Sequence, residues 1–84
     1  MLTAIETALQ QTFDPTELEV VDDSESHRGH GGYREGETTH VNVKIRAEYF
    51  SDLSRVARQR AVNKALDFAF DQGLHALALD VDGA

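Results

Sequence analysis

The sequence predicts an α+β domain with helices packed on one face of a three-stranded sheet. Three observations lead there. Leu2, Ile5, Leu9 and Phe13 recur at helical spacing near the start of the chain. His40-Val41-Asn42-Val43-Lys44-Ile45-Arg46-Ala47 alternates between apolar and polar, the pattern of a half-buried strand. A second helical stripe of Val56, Val62, Ala65, Leu66, Ala69 and Phe70 separates that strand from another apolar run at 74–81. The order is α-β-β-α-β, and 84 residues are the length of one domain, 1–84.

Each element carries its own local signals. The first helix is expected over about residues 3–12. Thr3-Ala4-Ile5-Glu6 has the form of a capping box, with Thr3 as N-cap and Glu6 reaching back. The helix is expected to stop near Asp14-Pro15, because the residue before a proline disfavours the helical region. Glu17–Asp22 reads as a short strand with Leu18 and Val20 facing the core. Residues 23–39 are polar, with glycine at 29, 31, 32 and 36, and form a loop long enough to be functional or mobile. The strand at 40–47 follows, then a connector over 48–53. One long helix is expected over about 54–71, with Ser54 as N-cap, Phe68 off its buried stripe and exposed, and Gly73 as terminator. Residues 74–81 read as the last strand, with Leu77, Leu79 and Val81 on one face, and 82–84 should fray. The first two strands can pair antiparallel through the long loop, and the third must return beside one of them.

Composition narrows the function. The formal net charge is -7, which opposes general binding to phosphate backbones. All eight Lys and Arg nevertheless lie between Arg28 and Lys64, and the two ends are acidic. That asymmetry reads as a solvated helix face or as a surface for nucleic acid or an acidic partner. There is no cysteine, so no disulfide is expected and nothing argues for an oxidising compartment. No membrane span or signal peptide is expected, and a cytoplasmic setting is the default. There is no thiol nucleophile, no Gly-x-Ser-x-Gly elbow and no phosphate-binding glycine motif, so an enzyme is not expected.

Three of the four histidines and four of the six glycines fall in Ser26-His27-Arg28-Gly29-His30-Gly31-Gly32-Tyr33-Arg34-Glu35-Gly36-Glu37-Thr38-Thr39-His40. On pattern alone His27 and His30 are solvated loop residues or a weak zinc pair. His75 shares parity with Leu77 and Leu79 and reads as a histidine at the edge of the core.

The stretches LEVVDDSESHRGHGG, GETTHVNVKI, FSDLSRVARQRAVNKAL and GLHALAL, in that order and spacing, resemble the BolA family. The resemblance runs from about Leu18 to Leu79. It implies a class II KH-like fold, with a three-stranded mixed sheet and helices on one face. It also implies a monothiol glutaredoxin partner and a [2Fe-2S] cluster shared with that partner and its bound glutathione. The partner side supplies two thiols, and this chain supplies histidines. Carried over by position, the C-terminal ligand is His75 and the loop ligand is His27, with His30 as rival. His40, in the family's E-T-H motif, is implied to be structural or peripheral. The expected roles are iron-sulfur trafficking or iron homeostasis. The alternative is a DNA-binding transcriptional regulator, with Arg55, Arg58 and Arg60 as the partner or nucleic-acid surface. Gln59 departs from the histidine usual in that helix. A homodimer stays open.

Overall fold

A computed structural model describes all 84 residues. The elements are α1 (Leu2–Phe13), β1 (Glu17–Asp22), a 3-10 turn (Ser24–His27), β2 (His40–Arg46), a second 3-10 turn (Glu48–Phe50), α2 (Arg55–Ala65), α3 (Asp67–Asp71) and β3 (Ala76–Asp82). The sheet order is β1-β2-β3. β2 pairs antiparallel with β1 and parallel with β3, so the sheet is mixed. A parallel return needs a crossover, and α2 with α3 supplies it.

The alternation in β2 places Val41, Val43 and Ile45 in the core. Ile5, Leu9 and Phe13 come down from α1, and Val62, Leu66 and Ala69 from the second helical segment, to complete one cluster. Leu18 and Val20 of β1, and Leu77, Leu79 and Val81 of β3, pack against it from the flanks. No helix is long and apolar enough to cross a membrane.

Several local expectations are corrected. α1 starts at Leu2 with Met1 as N-cap and no side-chain cap, so the Thr3/Glu6 capping box does not form. Leu2 packs against the core, and that contact draws the cap two residues earlier than the Thr3 signal. α1 ends where proline requires, and Asp14 takes the left-handed region at φ 47.

The expected long helix is two helices. Ser54 does cap it, accepting the Ala57 N–H at 3.2 Å. The chain then turns at Leu66 (φ -106, ψ 13), whose N–H is shared between the Val62 and Asn63 carbonyls. That break re-phases the helical stripe. Phe68 swings in to pack on the core, while Phe70 becomes 36% exposed. Val56, placed in the core by periodicity, is 59% exposed.

The connector also differs from expectation. Its 3-10 turn buries Phe50 completely, against Phe13 at a ring-centroid distance of 4.8 Å. At the far end Gly73, at φ 113, ends the helix. The Leu74 N–H closes onto the Ala69 carbonyl at 3.0 Å, so Leu74 belongs to the helix terminus and β3 begins only at Ala76.

Candidate functional site

The four histidines come from a loop, a strand and a strand entry, and the sheet register gathers them. Asp22 pairs with Val41, so the turn leaving β1 starts beside His40. His40 pairs with Ala76, so His75 lies just before the same point on β3.

Ser24 secures the turn. Its N–H and hydroxyl both donate to Asp22 Oδ1, at 3.0 and 2.6 Å. Its buried hydroxyl oxygen accepts the backbone N–H groups of Thr39 (2.9 Å) and His40 (3.2 Å). The Asp22 carboxyl is held below its ordinary range, first by the Ser24 hydroxyl, with burial opposing and the Ser24 N–H and Thr38 hydroxyl assisting. Across the strand entry, the Thr39 carbonyl accepts the N–H groups of both His75 and Ala76. One dipeptide, Thr39-His40, therefore ties the loop to the start of β3.

His27, at the end of the turn, lies flat on His40 with ring centroids 3.8 Å apart and planes 9° from parallel. Its Nε2 sits 3.4 Å from Asp23 Oδ2. A carboxylate at this place orients an imidazole for ligation. His75 also lies against His40, at 5.4 Å and tilted by 51°. His30 meets His27 edge-on at 6.2 Å and lies at the outer end of the row. His27 and His75, the two ligands the resemblance implies, each lie against His40, while the rival His30 meets the row at His27. Burial lowers the pKa of His40, and the neighbouring His27 and His75 rings add to this against Asp23. That direction favours the uncharged ring, which suits a stack of two imidazoles.

The rest of the loop packs against His75. Gly32 has φ 83, and a Cβ there would collide with the His75 ring. Arg34 holds the loop in place by donating to the Gly73 carbonyl and pairing with Glu37. No three histidine or acidic side chains converge as a metal-holding group. The donor set fits one half of a shared site, since it offers imidazoles from two segments and has no thiol.

The arginines of α2 divide. Arg58 is engaged within the fold, donating to the Phe50 carbonyl at 3.0 Å and pairing with Asp82 at 3.0 Å. Lys44 pairs with Glu17 and Arg46 with Asp80. Arg55 and Arg60 flank a shallow groove with Val56, Gln59 and Asn63. Gln59 thus lies at the surface of α2, where its backbone carbonyl accepts the Asn63 side-chain amide.

Sequence reasoning did not find Ser24, Thr39, Gly32 or Arg34 as parts of the site. Asp22-x-Ser24 was a readable signal, because Asp side chains close turns onto the N–H two residues on. The others act through contacts between distant segments.

Comparison with known proteins identifies the family. Residues 9–83 match the family described as BolA-like protein. The chain is 43% identical over 77 residues to a Sinorhizobium sp protein described as an uncharacterized protein in the cobS 5' region, covering 90% of this chain and 83% of that one. It is 41% identical over 73 residues to the chloroplastic BOLA1 protein of Arabidopsis thaliana, covering 84% of this chain but 46% of that protein. A Vibrio cholerae protein named DNA-binding transcriptional regulator BolA is 35% identical over 75 residues, covering 89% of this chain and 67% of its own length. The solved structure of BolA1 from Arabidopsis thaliana superposes with a TM-score of 0.87 at 34% identity, over 99% of this chain and 90% of that one. The mixed three-stranded sheet with its helices, and the match across nearly the whole length, place this chain in the BolA-like family.

Proposed function

We propose that this chain is a non-enzymatic adaptor that docks a monothiol glutaredoxin and shares a [2Fe-2S] cluster with it. His75 and His27 are the two ligands from this chain, and the glutaredoxin cysteine and glutathione thiol are the other two. One observation carries the reading: His27 and His75, far apart in sequence, both lie against one buried histidine at the same end of the sheet. Two imidazoles can replace two thiolates on one iron of such a cluster. The chain has no cysteine of its own, so the thiolates must come from the partner. When bound, the cluster supplies a transferable iron-sulfur unit. The protein's part is to present two imidazoles, orient His27 through Asp23, and keep the loop close to His75 through Arg34. The partner surface takes in the loop, the start of β3 and the exposed start of α2 with Arg55 and Arg60.

The test is reconstitution with a monothiol glutaredoxin, glutathione, ferrous iron and sulfide, followed by visible absorption and circular dichroism. The wild type should change the spectrum of the glutaredoxin-bound cluster. His75→Ala and His27→Ala should abolish that change, and His30→Ala should preserve it. A wild-type mixture with the spectrum of glutaredoxin alone would overturn the reading.

One observation favours a second reading as a DNA-binding regulator. Lys44, Arg46 and Arg58 are paired with acids, but Arg55, Arg60 and Lys64 form no ion pair and all lie on α2. The Vibrio relative carries a name of that kind. The net charge of -7 opposes it. If it holds, affinity for duplex DNA falls steeply with salt, and Arg55→Ala/Arg60→Ala reduces the log-log slope by about 2. Failure to bind at low salt removes this reading.

A further inference from the structure

His40 faces away from the helices. Val41, Val43 and Ile45 take the core side of β2, so His40 and Asn42 belong to the open face of the sheet. A histidine there would normally be wet, yet His40 is only 5% exposed. The turn at Ser24–His27 is folded over it, and His27 makes a near-parallel stack with its ring. The stack is supported on both sides of the contact. Ser24 holds the turn down by accepting the N–H groups of Thr39 and His40. Within the strand, His40 Nδ1 lies 2.9 Å from Thr39 Oγ1, and that hydroxyl is fully buried. The His40 ring is therefore fixed in rotation as well as in place.

His27 itself is attached to a glycine-rich loop, and a histidine there would sample several side-chain rotamers. A flat ring 3.8 Å away excludes most of them and leaves orientations in which the two rings lie face to face. His30 has no such support, since its only ring contact is the edge of His27.

We infer that His40 is a positioning residue, a flat aromatic support that fixes the His27 ring at the end of the sheet where His75 also lies and makes His27, rather than His30, the ligand presented by the loop. The ligand assignment rests on the cluster reading above. The positioning of His27 does not, and it can be measured on the free chain.

Two arms test it. In the free protein, NMR should show contacts between the His27 and His40 ring protons and a ring-current shift at His27. The shift should survive in Thr39→Val/His40→Phe, which keeps a ring and leaves no orphaned buried hydroxyl. It should vanish in His40→Leu, with far-UV circular dichroism confirming that each variant is folded. Absence of the ring contacts in the wild type overturns the inference whether or not any variant folds. In the second arm the variants are reconstituted with a monothiol glutaredoxin, glutathione, iron and sulfide. The Phe variant should give the wild-type cluster spectrum, and the Leu variant should need about tenfold more glutaredoxin to reach half of it. Loss of the spectrum in a folded Phe variant would show that His40 acts through its nitrogens, and would overturn the supporting role. If the wild type forms no shared cluster, the cluster reading falls, while the NMR arm still decides whether His40 orders His27.

Discussion

Phe50→Ala is expected to lower the free energy of unfolding by about 3–5 kcal/mol. Phe50 lies in the turn between β2 and α2, and its side chain is fully buried. Its ring packs on Phe13 from α1, with the planes at 43°, and on Tyr49 edge-on at 5.4 Å. The turn also fixes the start of α2, because the Phe50 carbonyl accepts from Arg58. Truncation would therefore leave a cavity where the strand turn and two helices meet, and a close-packed interior relaxes only partly around such a void. Small domains bury a modest share of their surface, and their total stability is about 5–15 kcal/mol. The variant should thus lose a large part of its folded population. Urea unfolding followed by circular dichroism checks this, with the midpoint falling and the slope unchanged. A loss under about 1 kcal/mol would mean that Phe50 does not hold α1 and α2 on the sheet.

Ser24→Ala is expected to cost about 2–4 kcal/mol, because it removes the acceptor for two buried backbone N–H groups, those of Thr39 and His40. The effect should include a pH dependence. The Asp22 carboxyl has its pKa lowered in the folded protein from the ordinary 3.8, and the Ser24 hydroxyl is the first cause. A depressed folded pKa means that the ionised carboxylate favours the fold. That contribution is present above the ordinary value and is lost as the pH falls through the lower, folded value. Wild-type stability should therefore drop in acid below about pH 4. The drop should be shallower in Ser24→Ala, whose Asp22 titrates closer to its unfolded value. Urea midpoints of both proteins across the acid range measure it. Equal acid dependence would show that the Asp22–Ser24 bond is not what holds the turn. The same substitution should loosen the turn that carries His27, so its effect reaches the proposed site without touching a ligand.

Alternation in β2 and the helical stripe of α1 are legible in the sequence because one face of each is buried along its whole length. Val56 misleads because it stands six residues before Val62 on one helix, well off the buried face, and Phe70 misleads for another reason. Periodicity assumes one uninterrupted helix, and the break at Leu66 turns Phe68 in and Phe70 out. Phe50 is illegible because a three-residue turn has no period to read. Arg58 looks like part of a basic patch until the end of β3 brings Asp82 to it.

The chain's order of elements, its inward strand faces and its lack of any thiol can all be read along the sequence, because they depend on neighbours a few residues apart. That His27 and His75, far apart in sequence, both lie against His40 is decided only by the folded chain. Pairing Asp22 with Val41 and His40 with Ala76 is what superimposes three segments at one end of the sheet. A shift of a single residue in either pairing would turn one of these side chains to the opposite face, and no local pattern in the loop records that register.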